Sequence, residues 1–176
     1  EGLLLKSNWT AIKDLDAGSW YNVEFKDERI PTLKATLELC HKLELGVNLE
    51  IKPVPGWEWQ TTMATLDIIG SGPKVPLLIS SFNTHCLHIF KGQAPQLPRP
   101  LNVDIIPTDW QQCLARLEAT SLHFCLPYFD EVQVKEVKAA GYQLACFTVN
   151  TIEDANRLLG AGVNAIFTDH PQTILE

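Results

Sequence analysis

Glu50 and Lys52 are the residues of this chain best suited to chemistry. They lie in Val47-Asn48-Leu49-Glu50-Ile51-Lys52-Pro53, an apolar run that stops at a proline. Side chains alternate across a β-strand, so Glu50 and Lys52 point to one side while Leu49 and Ile51 point to the other. Opposite charges at the mouth of an otherwise buried strand are costly unless they bind each other or something else. A carboxylate beside a fixed positive charge can hold a divalent metal and an anionic substrate together. An ordinary strand-end ion pair is the competing reading, and on this segment alone it is the safer one.

The elements that must position this pair follow from periodicity. Six times, a short β-rich apolar run is followed by a stretch of helical character. The runs are 47–51, 75–80, 101–105, 122–125, 143–149 and 164–168; helices are expected near 59–69, 84–90, 108–117, 131–140 and 151–161. A further amphipathic helix, 32–43, precedes the first strand, with Thr32 as its N-cap and Leu33, Leu37 and Cys40 on one face. Gly46, Gly141 and Gly162 each stand between a helix and a strand, as C-terminal caps. Residues 10–15 read as a short helix, Asp16-Ala17-Gly18-Ser19-Trp20 as a turn, the segment to Pro31 as a surface excursion, and 93–100 as a long loop. Strands alternating with helices indicate a parallel sheet with helices packed outside. A complete (β/α) barrel has eight strands and about 250 residues. Six strands, all after residue 46, therefore suggest a barrel whose first two βα units are absent.

The composition bounds the remaining classes. At 176 residues the chain is expected to form one domain, 1–176, with a sizeable core. A net charge of −7 and a pI near 5.2 argue against a nucleic-acid surface or a polybasic membrane anchor. No apolar run approaches the roughly 20 residues that span a bilayer, and the first residues lack the basic leader and cleavage site of a signal peptide. Five widely spaced cysteines, an odd number with no Cys-x-x-Cys, read as reduced core residues and favour a cytoplasmic setting. Asn8-Trp9-Thr10 matches the glycosylation tripeptide, but the cysteines argue against secretion.

The ordered motifs resemble a known family. Leu15-Asp16-Ala17-Gly18-Ser19-Trp20, Glu28-Arg29-Ile30-Pro31-Thr32-Leu33 and Asn48-Leu49-Glu50-Ile51-Lys52-Pro53 are followed by Ser80-Ser81-Phe82, Phe147-Thr148-Val149-Asn150 and Gly162-Val163-Asn164-Ala165-Ile166-Phe167-Thr168-Asp169-His170-Pro171. Together they resemble the glycerophosphodiester phosphodiesterases, nearest the bacterial cytoplasmic type. The resemblance implies a TIM barrel and metal-dependent hydrolysis of glycerophosphodiesters to glycerol 3-phosphate and an alcohol. It implies Mg²⁺ or Ca²⁺ as cofactor, Glu50 as a metal ligand, Lys52 near the phosphate, and Phe147 as an aromatic wall of the substrate pocket. Aromatic rings at Trp57 and Trp59, read as a loop flanking Glu58, could shape a pocket for a choline-like head group or simply cover the barrel rim.

Departures from the family's pattern matter equally. The family's catalytic histidines lie in a His-Arg-Gly motif and a His-Asp motif, and two further metal ligands lie in a Glu-x-Asp pair. None of these occurs in this chain, so no catalytic residue is assigned and the chain alone is expected to be inactive. The intact protein would then carry roughly 60 to 70 further residues, two βα units at the barrel average. His85 and His88, three apart on a helix without a third ligand, read as solvent-facing or partly buried. His123 reads as a strand histidine held by a backbone partner, Asp169 as a turn and cap residue, Phe82 as packing, and Val132, Val134 and Val137 as facing inward at least in part from a solvated helix. The alternative function is a non-catalytic barrel domain serving as a binding or interaction module; a third is a barrel phosphodiesterase acting on lysophospholipids. The expected partner is a small-molecule glycerophosphodiester, with no nucleic acid and no membrane span. An open barrel exposes strand edges, so the chain is also expected to self-associate as a homo-oligomer, pair with a separate N-terminal fragment, or be poorly stable.

Overall fold

The computed structural model describes residues 4–70 and 74–175. All six expected strands are present: β1 (Val47–Glu50), β2 (Leu77–Ser80), β3 (Leu101–Asn102), β4 (Ser121–Cys125), β5 (Gln143–Phe147) and β6 (Ala165–Ile166). Helices α1 (Trp9–Ile12) and α2 (Leu33–Lys42) precede β1. Between the strands lie α3 (Glu58–Ile69), α4 (Thr84–Gln93), α5 (Trp110–Leu117), α6 (Glu131–Ala139) and α7 (Ile152–Ala161), and α8 (Pro171–Leu175) follows β6. Prolines at 98, 100 and 107 remove backbone donors around β3, which is shorter than its apolar run.

β3, β4, β5 and β6 form one parallel sheet in chain order, and β1 pairs with β2. Val47 N–H donates to Pro76 O and Ile51 N–H to Ser80 O, both at 2.8 Å. Both strands advance four residues between these bonds, so this pair is parallel as well. A parallel bridge between Ser81 and Leu101 joins β2 to β3. Strand order therefore follows the chain from β1 to β6, as in a barrel. The ring is not closed: among the described residues β1 and β6 have no strand on their second edges.

The chain divides into two compact units, Glu1–Val47 with Ala64–Pro76, and Asn48–Met63 with Leu77–Glu176. In the first, Thr32 caps α2 as expected, its hydroxyl oxygen accepting from Ala35 N–H at 3.2 Å. The Asp16 turn is also present. Its carboxylate accepts from the backbone N–H groups of Gly18, Ser19 and Asp27 and from the Ser19 hydroxyl. These donors, Asp27 foremost, hold its carboxyl well below the usual range. Gly18 is the one buried residue among the described residues 4–31, and a Cβ there would lie 2.0 Å from Phe25 O. At the end of α2 the left-handed residue is Glu44, φ 55°, and not Gly46; Gly141 and Gly162 do take positive φ.

The second unit owes its core to the other side of the strands. Leu101, Leu122 and Leu144 stand in one register row and pack with Trp110 and Leu114 of α5, Val134 and Val137 of α6, and Leu158 of α7. Val134 and Val137 are fully buried as expected of the inward face of α6, but Val132 is 66% exposed. It precedes Val134 by two positions, about 200° around the helix, and so lies on the side away from the core. All five cysteines are free thiols, Cys86 and Cys146 among them buried. No described helix is long and apolar enough to cross a membrane.

Candidate active site

The row after the leucines faces the opposite way. Ser81, Leu101, Leu122 and Leu144 are register partners, so Phe82, Asn102, His123 and Ala145 project from the other face of the strands. Phe82, Asn102 and His123 line a cavity of about 480 Å³. Glu50, Lys52 and Phe147, the three residues assigned from sequence, line the same cavity. Asn48, Thr148 and Phe167 complete it. Glu50 and Phe147 are the last residues of β1 and β5, so the cavity opens at the C-terminal ends of the parallel strands. Active sites of (β/α) barrels are built at that end.

Glu50 Oε1 lies 3.5 Å from Lys52 Nζ. The pair exists, yet it does not satisfy the carboxylate: Glu50 Oε1 is buried with no hydrogen-bond donor, while the Lys52 side chain is 76% exposed. An ion pair with one such solvated partner contributes only about 0–1 kcal/mol. The strand-end salt bridge is therefore a weak account of these two residues. A buried carboxylate oxygen lacking donors suits a hard cation, so Glu50 fits a Mg²⁺ or Ca²⁺ ion as a single ligand. Among the described residues no group of three His, Cys, Asp or Glu is placed to complete such a site.

Phe147 packs edge-on against Phe82 and Phe167, with centroids 5.8 and 6.5 Å away. Phe82 is thus a cavity wall and not merely packing. The expected backbone partner of His123 is not found. Its Nδ1 has no hydrogen bond, its Nε2 lies 3.4 Å from Ser121 Oγ, and its ring stands 5.3 Å from that of Phe167. Burial pushes its pKa down to about 4, so the ring is neutral at pH 7. Asn102 and His123 were within reach of sequence reasoning, since each interrupts an apolar run with a polar residue of the cavity-facing parity.

Other expected positions fall outside the cavity. Trp59 lies in the first turn of α3, as the helix expected from residue 59 has it and not on the loop read around Glu58; it and Trp57 are exposed and do not line the cavity. His85 and His88 are exposed on α4. Asp169 is not a helix cap: its Oδ2 accepts from Asn150 Nδ2 at 3.0 Å, tying the segment after β6 to that after β5.

A sequence model of the glycerophosphoryl diester phosphodiesterase family matches residues 2–173. The chain belongs to this family. It is 34% identical over 183 aligned residues to a glycerophosphodiester phosphodiesterase of Caldanaerobacter subterraneus subsp. tengcongensis, covering 99% of this chain and 72% of that protein. The structure of an Oleispira antarctica phosphodiesterase in complex with the product sn-glycerol-3-phosphate superposes with a TM-score of 0.95 at 40% identity, over 99% of this chain and 71% of that one. A Galdieria sulphuraria structure, 17% identical with a TM-score of 0.84 over 99% of this chain and 71% of its own, shares the fold. Membership of this family makes the protein an enzyme, a phosphodiesterase of the phosphoric diester hydrolases.

Proposed function

We propose that the protein hydrolyses glycerophosphodiesters to glycerol 3-phosphate and an alcohol, and that this chain contributes the anion- and cation-binding side of its site. The observation that carries the reading is the donor-free buried oxygen of Glu50 beside the solvated Lys52 ammonium in an aromatic-walled cavity. Lys52 would face the phosphate, Phe147 the organic part of the substrate, and Glu50 would hold the divalent cation. Bound there, the cation would stabilise charge developing on the phosphate oxygens. The open ring and the strand count support a (β/α)₈ barrel whose first two βα units lie outside these 176 residues. The reduced cysteines support a cytoplasmic setting.

Phosphodiester cleavage by attack and leaving-group protonation requires two proton transfers. The cavity contains one imidazole, His123, which is buried and lacks an acidic or basic partner among the residues lining the cavity with it, apart from the Glu50–Lys52 pair. The isolated chain is accordingly expected to be silent. The test is release of glycerol 3-phosphate from glycerophosphocholine with Mg²⁺ or Ca²⁺, measured for the full-length gene product and for the 176-residue chain. Turnover only in the former, lowered about 100-fold or more by Glu50→Gln or Lys52→Ala, is the expected result. Absence of turnover in both would favour a binding module, and turnover of lysophospholipids alone would redirect the substrate.

A further inference from the structure

We infer that a second cavity, between α2 and the end of α3, binds a small amphiphilic anion: an alkyl chain carrying one carboxylate. The inference does not depend on the reading of Glu50 and Lys52, because no residue that lines their cavity lines this one.

Lys34, Leu37, Glu38, His41 and Lys42 recur along α2 at the three- and four-residue spacing that puts side chains on one helical face. That face borders a cavity of about 420 Å³. Its other wall is Ile68 and Ile69, the last two residues of α3, with Lys74 and Val75 on the approach to β2. All of these residues belong to the first compact unit. The volume falls within the roughly 300–1,000 Å³ of small-molecule sites. Both walls supply apolar surface: Ile69 and Val75 are buried, Leu37 is half-buried, and Ile68 is 47% exposed.

The chain as a whole carries a net charge of −7, yet this cavity is cationic. Lys34, Lys42 and Lys74 share it with one carboxylate, Glu38. Glu38 stands four residues from both Lys34 and Lys42, the spacing at which helical ion pairs form. Among the described residues, none of these four nevertheless makes an ion pair. Lysine lays its alkyl stem along apolar surface and keeps its ammonium at the water boundary. The result is an apolar strip with a cationic rim. Inorganic phosphate would meet the rim but leave Ile68 in water, and an alkanol would cover Ile68 but leave the rim without an anion. An ionised alkyl carboxylate meets both, its two oxygens accepting from more than one ammonium.

The experiment titrates the full-length gene product at neutral pH with butanoate, octanoate and decanoate by calorimetry, with octan-1-ol and inorganic phosphate as controls. In parallel, NMR follows the methyl groups of Ile68, Ile69 and Val75 and the Phe147 ring of the other cavity. Octanoate and decanoate should bind saturably, each added methylene tightening the complex about two- to fourfold, with shifts at the three methyl-bearing residues and none at Phe147. Octan-1-ol should bind at least about fivefold more weakly than octanoate, and phosphate should leave the three residues unmoved. Lys42→Met combined with Lys74→Met should weaken octanoate about tenfold and leave octan-1-ol within about twofold. Ile68→Glu, at a half-exposed position that tolerates a polar side chain in the folded state, should abolish octanoate binding. The unsubstituted protein decides the matter even if a variant fails to fold. Absence of saturable octanoate binding, octan-1-ol binding as tightly as octanoate, or shifts at Phe147 in place of the three methyl-bearing residues overturns the inference. Contacts in the free protein between these methyl groups and a segment outside the 176 residues overturn it too, because the cavity is then filled by the protein itself. So does binding to phosphatidylglycerol vesicles without saturable octanoate binding, which makes the face a lipid-surface contact.

Discussion

Acidification should destabilise this chain through His123, and replacing that residue should remove the effect. The imidazole is almost fully buried, next to the Phe167 ring, with Ser121 Oγ as the one polar neighbour its ring nitrogens approach. Burial lowers its pKa from the ordinary 6.5 to about 4 in the folded chain. Between those values the unfolded chain binds a proton that the folded chain refuses, so stability rises with pH across that window. The contribution is fully present above about pH 6.5, is lost progressively as pH falls toward 4, and changes no further below that. At about 1.4 kcal/mol per pH unit, the gap amounts to about 3 kcal/mol, a large share of the roughly 5–15 kcal/mol that holds a domain together. Urea unfolding followed by tryptophan fluorescence, from pH 4.5 to 7.5, measures this when the chain is compared with His123→Gln. Both proteins will lose stability in acid as carboxylates protonate, so the informative quantity is the difference between their curves. That difference should change by about 2–3 kcal/mol between pH 7 and pH 4.5. Parallel curves over that range would refute the reasoning, as would a directly titrated His123 pKa near 6.5.

Glu50→Gln should leave the stability of the chain within about 1 kcal/mol, because its ion pair with the exposed Lys52 is weak; a thermal-melt gain on adding Mg²⁺ or Ca²⁺ should disappear in the same variant. Arg99 is 3% exposed and donates to Pro95 O, Leu97 O and Glu118 O at 2.9, 2.7 and 3.3 Å, so Arg99→Leu should cost about 2–4 kcal/mol in chemical denaturation. Lysine at that position should not rescue it, since one ammonium cannot reproduce the planar fork. Gly18→Ala should loosen the turn around Asp16, because the new Cβ would meet the Phe25 carbonyl oxygen at 2.0 Å. Faster amide exchange at Gly18, Ser19 and Asp27, whose N–H groups bond the Asp16 carboxylate, would report it. Light scattering should find the isolated chain self-associated or poorly stable, given its open sheet edges; a stable, monodisperse monomer would contradict that.

Much of this was legible before any coordinates because it depends on neighbours in the chain. Thr32 caps α2, Gly162 ends α7 and the six strands sit on their apolar runs for reasons contained within a few residues. Glu50 and Lys52 fall on one side of β1 because side chains alternate, and their parity alone predicts it. Phe147 was reached by resemblance of its motif, not by geometry. Where local signals competed, the reading slipped. Glu44 adopts the left-handed turn that Gly46 was expected to take, and Glu58, expected on the loop, opens α3. Asp169 stands two positions before Pro171, where a turn or cap residue was expected, yet a residue nineteen positions away, Asn150, takes its carboxylate.

By itself, then, the sequence determined the alternating elements, the family, and the two charged residues at the end of β1. The tertiary structure decided what those charges face. Only the register of six strands brings Asn48, Asn102 and His123 to the same cavity as Glu50, and only burial leaves their polar atoms without partners. Side-chain parity is a local property, whereas the surroundings of a cavity are assembled from residues more than fifty positions apart. No pattern within a single strand specifies which polar atom will be left open when the others are satisfied.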